Sequence, residues 1–136
     1  MAKITKAEYE MLAALRYRLR QFLHFSEEAA HVVGLTPQQH QALLAIKGFP
    51  RRDCVTVGKL AEQLQIRHQS AVGLADRLAA NNLVSRKTDP RDRRRVNLAL
   101  TVRGEKVLEK LSAAHRAQLR RIGPEIEALL KRLRGS

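Results

Sequence analysis

The most constraining feature of this chain is a change of hydrophobic period at Asn81-Asn82. Before it, two short segments space their apolar residues three and four apart. The first has Val57, Leu60, Ala61 and Leu64; the second, after "QIRH", has Ala71, Leu74, Ala75 and Leu78. Each pattern is one face of an α-helix. Beyond the asparagines, "LVSRKT" and "RRVNLALT" alternate with period two on either side of "DPRD", a turn built from Asp and Pro. Two helices joined by a tight turn and followed at once by a β-hairpin predict a helix-turn-helix with a wing. Thr56 stands where an N-cap belongs, and Ala61 supplies a small side chain where the helices approach. Asn81-Asn82 can close the second helix because Asn tolerates the left-handed backbone.

The flanking sequence is also helical. From Lys6 to Val33 a seam of Leu12, Leu15, Leu19, Phe22, Ser26, Ala29 and Val33 recurs at three-and-four spacing, and Gly34 ends it. Such a helix runs roughly 40 Å, longer than a small domain needs for its own core, which predicts a partner helix. "LTPQQHQALLAI" reads as Thr36 N-cap, Pro37 at N1 and Gln39 closing a capping box, with Gly48 and Pro50 as stops. "RRDCVT" predicts a polar loop into a one-bridge strand. Thr101 caps a fifth helix with a stripe of Gly104, Val107 or Leu108, Leu111, His115, Gln118 and Ile122. "GP" at 123–124 predicts a break, with a last helix from Pro124 carrying Ile126, Leu129, Leu130 and Leu133. The expected order is α-α-α-α-β-β-α-α, mainly α with a small β-hairpin wing. The expected organisation is one domain over 1–136, with a winged helix-turn-helix at 36–101 flanked by dimerisation helices at 6–33 and 102–136.

Charge points to the partner. The chain carries 26 Lys and Arg against 13 Asp and Glu, net +13. Residues 1–33 are net +1, 34–84 net +3, 85–104 net +5 and 105–136 net +4, so the density peaks in the hairpin. A basic hairpin beside a helix-turn-helix predicts double-stranded DNA ahead of an anionic membrane surface. The outward face of the second short helix is then Arg67, His68, Gln69, Ser70, Val72, Gly73 and Arg77. These are short or hydrogen-bonding at the helix start, where base edges would lie in the major groove. Gly73 lowers helix stability by about 1 kcal/mol relative to Ala, which a close backbone approach to the groove would explain.

Other classes are disfavoured. GxSxG, HExxH and GxxxxGK[ST] are absent, and Glu27-Glu28 point apart on successive helical positions, so no enzyme and no cofactor are expected. His24 and His31 are about 10 Å apart along a helix, too far to share an ion, and His40 and His115 form no tight pair with them. No metal site is expected, and these read as partly exposed helical histidines. The single Cys54 reads as a structural thiol. With no signal-like or membrane-length apolar run, a cytoplasmic protein without a membrane partner is expected.

The stretch "LTPQQHQALLAI…TVGKLAEQLQIRHQSAVGLADRLAANNLVSRKTDPRDRRRVNLALTVRG" resembles the MarR-type winged helix-turn-helix transcription regulators. The most specific part is the wing, "DPRDRRRVNLALTVRG", similar to the family's D-x-R signature followed by a V-x-L-T strand. Asp92 and Arg94 occupy that signature. The resemblance implies that Arg94 reaches the minor groove while Asp92 braces it, and that the first and the last two helices hold a homodimer. Arg86, Lys87, Arg91, Arg93 and Arg95 read as phosphate contacts or solvated charge. The family also implies a crevice for a small aromatic or phenolic effector, with Tyr17, Phe25, His31 and His40 as candidates by position. Three positions depart from the pattern. Gln65 stands where the helix-helix turn often has Gly, Arg67-His68 replaces a Ser or Asp cap, and Asn82 replaces Gly. The expected function is a sequence-specific, homodimeric regulator, a repressor of a pseudo-palindromic operator. The alternative is an architectural protein that coats DNA without sequence preference.

Overall fold

A computed structural model describes residues 3–135 of the chain, so Met1, Ala2 and Ser136 of the expected domain lie outside the described residues. Its elements are α1 (Lys6–Val32), α2 (Pro37–Lys47), β1 (Val55–Thr56), α3 (Val57–Leu64), α4 (His68–Ala80), β2 (Val84–Thr88), β3 (Val96–Leu100) and α5 (Val102–Gly135). The local signals account for the boundaries. α1 stops because Gly34 turns left-handed at φ +81°, letting the Leu35 N–H donate to the Ala30 carbonyl. α2 starts at a complete capping box, with Thr36 Oγ1 accepting from the Gln39 N–H and Gln39 Oε1 from the Thr36 N–H.

The chain divides into two compact units. One comprises Ala30–Leu111; the other comprises the described residues of Met1–Ala29 and Ser112–Ser136. In the Ala30–Leu111 unit, α2, α3 and α4 pack with the sheet around fully buried Leu43, Ile46, Leu60, Leu74, Leu78, Leu83 and Leu98. This core is aliphatic, as expected for a chain with no Trp and only 4% aromatic residues. The sheet is antiparallel in the order β1-β3-β2, and Leu98 in the central strand faces both Val55 and Arg86 in register.

In the other unit, α1 and α5 are pinned together by polar contacts. Arg18 Nε lies 2.7 Å from Glu125 Oε2, and His115 Nε2 lies 2.8 Å from Ser26 Oγ. The His115 ring meets Phe22 and Phe25 edge-on, at centroid distances of 5.7 and 5.3 Å. Tyr9, Leu12, Leu19, Leu23, Leu119 and Leu130 of this unit stay exposed.

Three expectations need correction. The last two helices are one: α5 runs 34 residues with Pro124 inside it. A proline in a helix interior costs about 3 kcal/mol, so something must offset it. The stripe Leu111, His115, Gln118, Ile122, Ile126, Leu129, Leu133 keeps its spacing through the proline, and every member is buried or half-buried. Pro124 and Arg120, whose carbonyl loses its helical donor, are both exposed, so water can satisfy that carbonyl. Second, β3 begins at Val96 rather than at the preceding arginines, which belong to a longer tip. Third, the histidines are not uniformly exposed: His40 is buried and His115 is packed between aromatic rings. Among the described residues, no helix is long and apolar enough to cross a membrane, and no three His, Cys, Asp or Glu side chains gather to hold a metal.

Candidate nucleic-acid interface

The helix-turn-helix is built from α3 and α4. Thr56 Oγ1 accepts from the Lys59 N–H at 3.1 Å and starts α3. The turn is closed by Gln65 at φ +54°, with the Ile66 N–H donating to the Ala61 carbonyl at 3.0 Å. A non-glycine residue in this region costs about 1–2 kcal/mol. Ala61 is buried at the crossing of the two helices. α4 begins at Arg67, whose side chain makes no capping hydrogen bond.

α4 is two-faced. Ala71, Leu74, Ala75 and Leu78 enter the core, while Arg67, His68, Gln69, Ser70, Val72, Asp76 and Arg77 are exposed. Gly73 is half-buried, and a Cβ there would meet only Arg77 Nη1, at 3.4 Å. Nothing within the chain therefore requires glycine at this position.

The wing follows from a second left-handed residue, Asn82 at φ +56°. Its joint with α4 is held from the β3–α5 corner. Thr101 Oγ1 donates to the Asn82 carbonyl at 2.7 Å, and Arg103 Nη1 donates to the Asn81 carbonyl. Gly104 lies against the Leu83 carbonyl so closely that a Cβ would come within 2.1 Å of the oxygen.

The tip, Asp89 to Arg95, is closed by the Asp89 N–H donating to the Arg95 carbonyl at 2.9 Å. Both tip aspartates organise backbone: Asp89 Oδ1 accepts from the Arg91 N–H at 2.8 Å, and Asp92 Oδ1 from the Arg94 N–H at 3.0 Å. The Arg94 Nε also lies 3.3 Å from Asp92 Oδ1, yet its side chain is 92% exposed. Asp92 thus orients Arg94 from below and leaves the guanidinium in solvent. Lys87, Arg91 and Arg93 are exposed, whereas Arg86 is ion-paired with Asp76 across the gap from β2 to α4.

Between α4, the wing and the start of α3 lies an open concavity of about 570 Å³. His68 and Asp76, Arg86 and Arg94, and Arg52 and Lys59 all reach it. Arg52 and Lys59 escaped the sequence reading. Lys59 sits in the first turn of α3, which could have drawn attention to it; Arg52 sits in a loop with no local signal.

The effector candidates are scattered in character. Tyr17 is exposed, its hydroxyl accepting from Gln21 Nε2 at 3.2 Å. Phe25 borders an open depression of about 630 Å³ with Arg18, His24 and Arg121, and Tyr17 is not in its wall. In the Ala30–Leu111 unit, His31 is exposed on the last turn of α1 and His40 is buried in α2.

An exposed polar helix beside a charged hairpin, on a three-helix core, defines a winged helix-turn-helix protein. The MarR family model matches residues 33–95. The HTH-type transcriptional repressor MdtR of Bacillus subtilis is 30% identical over 94 residues, 69% of this chain and 59% of that protein. A MarR family protein from Bacillus stearothermophilus has a TM-score of 0.78 at 24% identity, over 98% of this chain and 95% of that one. A MepR mutant from Staphylococcus aureus, solved bound to an oligodeoxyribonucleotide, has a TM-score of 0.71 at 18% identity, over 90% and 94% of the two chains. These structures share the fold. The chain spans 59% and 45% of the length of the curated relatives it matches. Residues 33–95 thus match the MarR family model, and the fold is that of the MarR-family winged helix-turn-helix proteins.

Proposed function

We propose that the chain is a sequence-specific double-stranded DNA-binding regulator, acting as a homodimer and repressing by occupying an operator. The observation that carries this reading is the exposed row Arg67, His68, Gln69 and Ser70 at the start of α4, beside a wing that presents Arg94. α4 enters the major groove by that end, where side chains meet base edges. Arg94 enters an adjacent minor groove, where a narrow A·T-rich segment concentrates negative potential. Arg77, Lys87, Arg91 and Arg93 contact phosphate. Gly73 allows close approach of the helix backbone. Domain roles follow: residues 36–101 read DNA, while 6–33 and 102–136 dimerise.

The exposed apolar residues of α1 and α5 support the dimer, because a stripe including Leu12, Leu19, Leu23, Leu119 and Leu130 is costly to leave in water. A two-fold dimer binds a pseudo-palindrome of roughly 16–20 base pairs, with half-sites about one helical turn apart. MdtR is named a repressor and the MepR mutant was solved on an oligodeoxyribonucleotide; we carry both properties over to this chain. It works in the cytoplasm, without catalysis or a cofactor. A small aromatic or phenolic effector would act by changing the spacing or mobility of the two reading heads.

The test is a fluorescence-anisotropy titration with the duplex upstream of the chain's own gene against a scrambled duplex, at 50 and 200 mM salt. A preference of about 10³ or more for the upstream duplex at the higher salt is expected. Equal affinity for both, under competition with bulk DNA, would favour a non-specific coat. Light scattering showing a stable monomer at micromolar concentration would sink the dimer.

A further inference from the structure

The wing contains one arginine that differs from the others. Arg94 and Arg86 both border the concavity, but Arg94 is 92% exposed and its carboxylate partner, Asp92, belongs to the same tip, whereas Arg86 on β2 is ion-paired across the gap with Asp76 on α4. Asp76 is the only acidic residue of α4. On a helix that faces DNA, an unpaired carboxylate would repel the phosphate backbone. An Arg86 recruited to phosphate would uncover that carboxylate in the same concavity.

Asp76 lies one turn before the end of α4, and Arg86 lies opposite Leu98, the fully buried residue of the central strand. The pair spans the Asn81-Asn82 turn and closes α4, turn and β2 into a ring. Thr101 and Arg103 hold the base of that ring through the Asn82 and Asn81 carbonyls. Rotation of the hairpin about its joint is thus opposed at the base and again halfway along the strand. Both side chains are about half exposed, 57% for Asp76 and 47% for Arg86, so the pair adds little to overall stability. Its effect is on where the tip sits.

We propose that Asp76 and Arg86 form a latch that sets the angle of the wing against the reading helix, with Arg86 a positioning residue rather than a phosphate contact. The proposal rests on the DNA-binding reading above. It assigns fixed spacing between the helix in the major groove and Arg94 in the minor groove to one ion pair.

Asp76→Asn, Arg86→Met and the double variant separate the two roles. For a latch, each single variant weakens binding to the upstream duplex roughly threefold to tenfold, and the double is no worse than either. Preference over the scrambled duplex falls, and the slope of log K against log[salt] stays at the wild-type value. For a phosphate contact, Asp76→Asn would bind more tightly, because it frees Arg86 and removes an acid. Arg86→Met would then flatten the slope by about 0.9. Either result overturns the latch. Amide hydrogen exchange in the free proteins gives a readout without DNA. Lys87, Thr88 and Val96 should exchange faster in both single variants while the thermal melt is unchanged; unaltered exchange overturns the latch. If the wild type itself shows no duplex preference, the DNA-reading proposal fails, and the exchange comparison still decides the latch.

Discussion

The two ends of the wing are built on opposite principles. At its base, Asn82, Leu83, Thr101, Arg103 and Gly104 make a joint of backbone contacts, with Leu83 fully buried and Gly104 in direct contact with its carbonyl. At its tip, five exposed residues are held by two half-buried aspartates that accept backbone and side-chain hydrogen bonds. The base has no room for change and carries little free charge. The tip is looser and carries four arginines in seven residues. Position is fixed by packing, and charge is displayed where packing is absent, so substitutions at the two ends should fail in different assays.

The largest effect belongs to the base. Gly104→Ala puts a Cβ 2.1 Å from the Leu83 carbonyl oxygen, which only a backbone shift can relieve. A loss of about 3 kcal/mol is expected, seen as a lower melting temperature by circular dichroism. Tolerance of alanine there would contradict the tightness of the joint. Arg94→Ala should do the reverse. It should weaken operator binding by roughly 1–3 kcal/mol with the melt unchanged, because a side chain 92% exposed and paired with Asp92 of the same tip adds little to stability.

Gln65→Gly sharpens the comparison from the helix-helix turn. Relief of its left-handed backbone should raise stability by about 1 kcal/mol in urea titrations, with DNA affinity unaltered. A loss of stability would mean that the Gln65 side chain matters more than its backbone. The smallest effect concerns Lys47, whose ammonium lies 2.9 Å from Glu105. The hydrogen bond and charge of Glu105 hold its pKa above the usual 10.5. A raised pKa means that the pair's contribution is complete below pH 10.5 and fades as the pH climbs through the folded value. Melting temperatures of wild type and Lys47→Met should therefore differ slightly at neutral pH and converge in strong alkali.

Signals confined to a few neighbouring residues were legible in the sequence. The capping box at Thr36, the N-cap at Thr56 and the left-handed stops at Gly34 and Asn82 all depend on chemistry within one turn of chain. The switch from helical to alternating period located the wing for the same reason. Pro124 misled because a local rule competes with a face that continues on both sides of it, and only packing decides. The Asp76–Arg86 pair joins a helix to a strand across a turn, so neither residue signals the other in one dimension. Arg52 and Lys59 enter the concavity only when α3 is laid beside the wing. The outward row at the start of α4 was readable because it is what remains once the core face is subtracted.

Hydroxyl-radical footprinting on the upstream duplex reports where each end of the reading head lies. Two protected segments centred about one helical turn apart are expected, each flanked by a protected minor groove that becomes accessible again with Arg94→Ala. Uniform protection along the duplex, or flanks that stay protected when Arg94 is removed, would contradict the proposed docking.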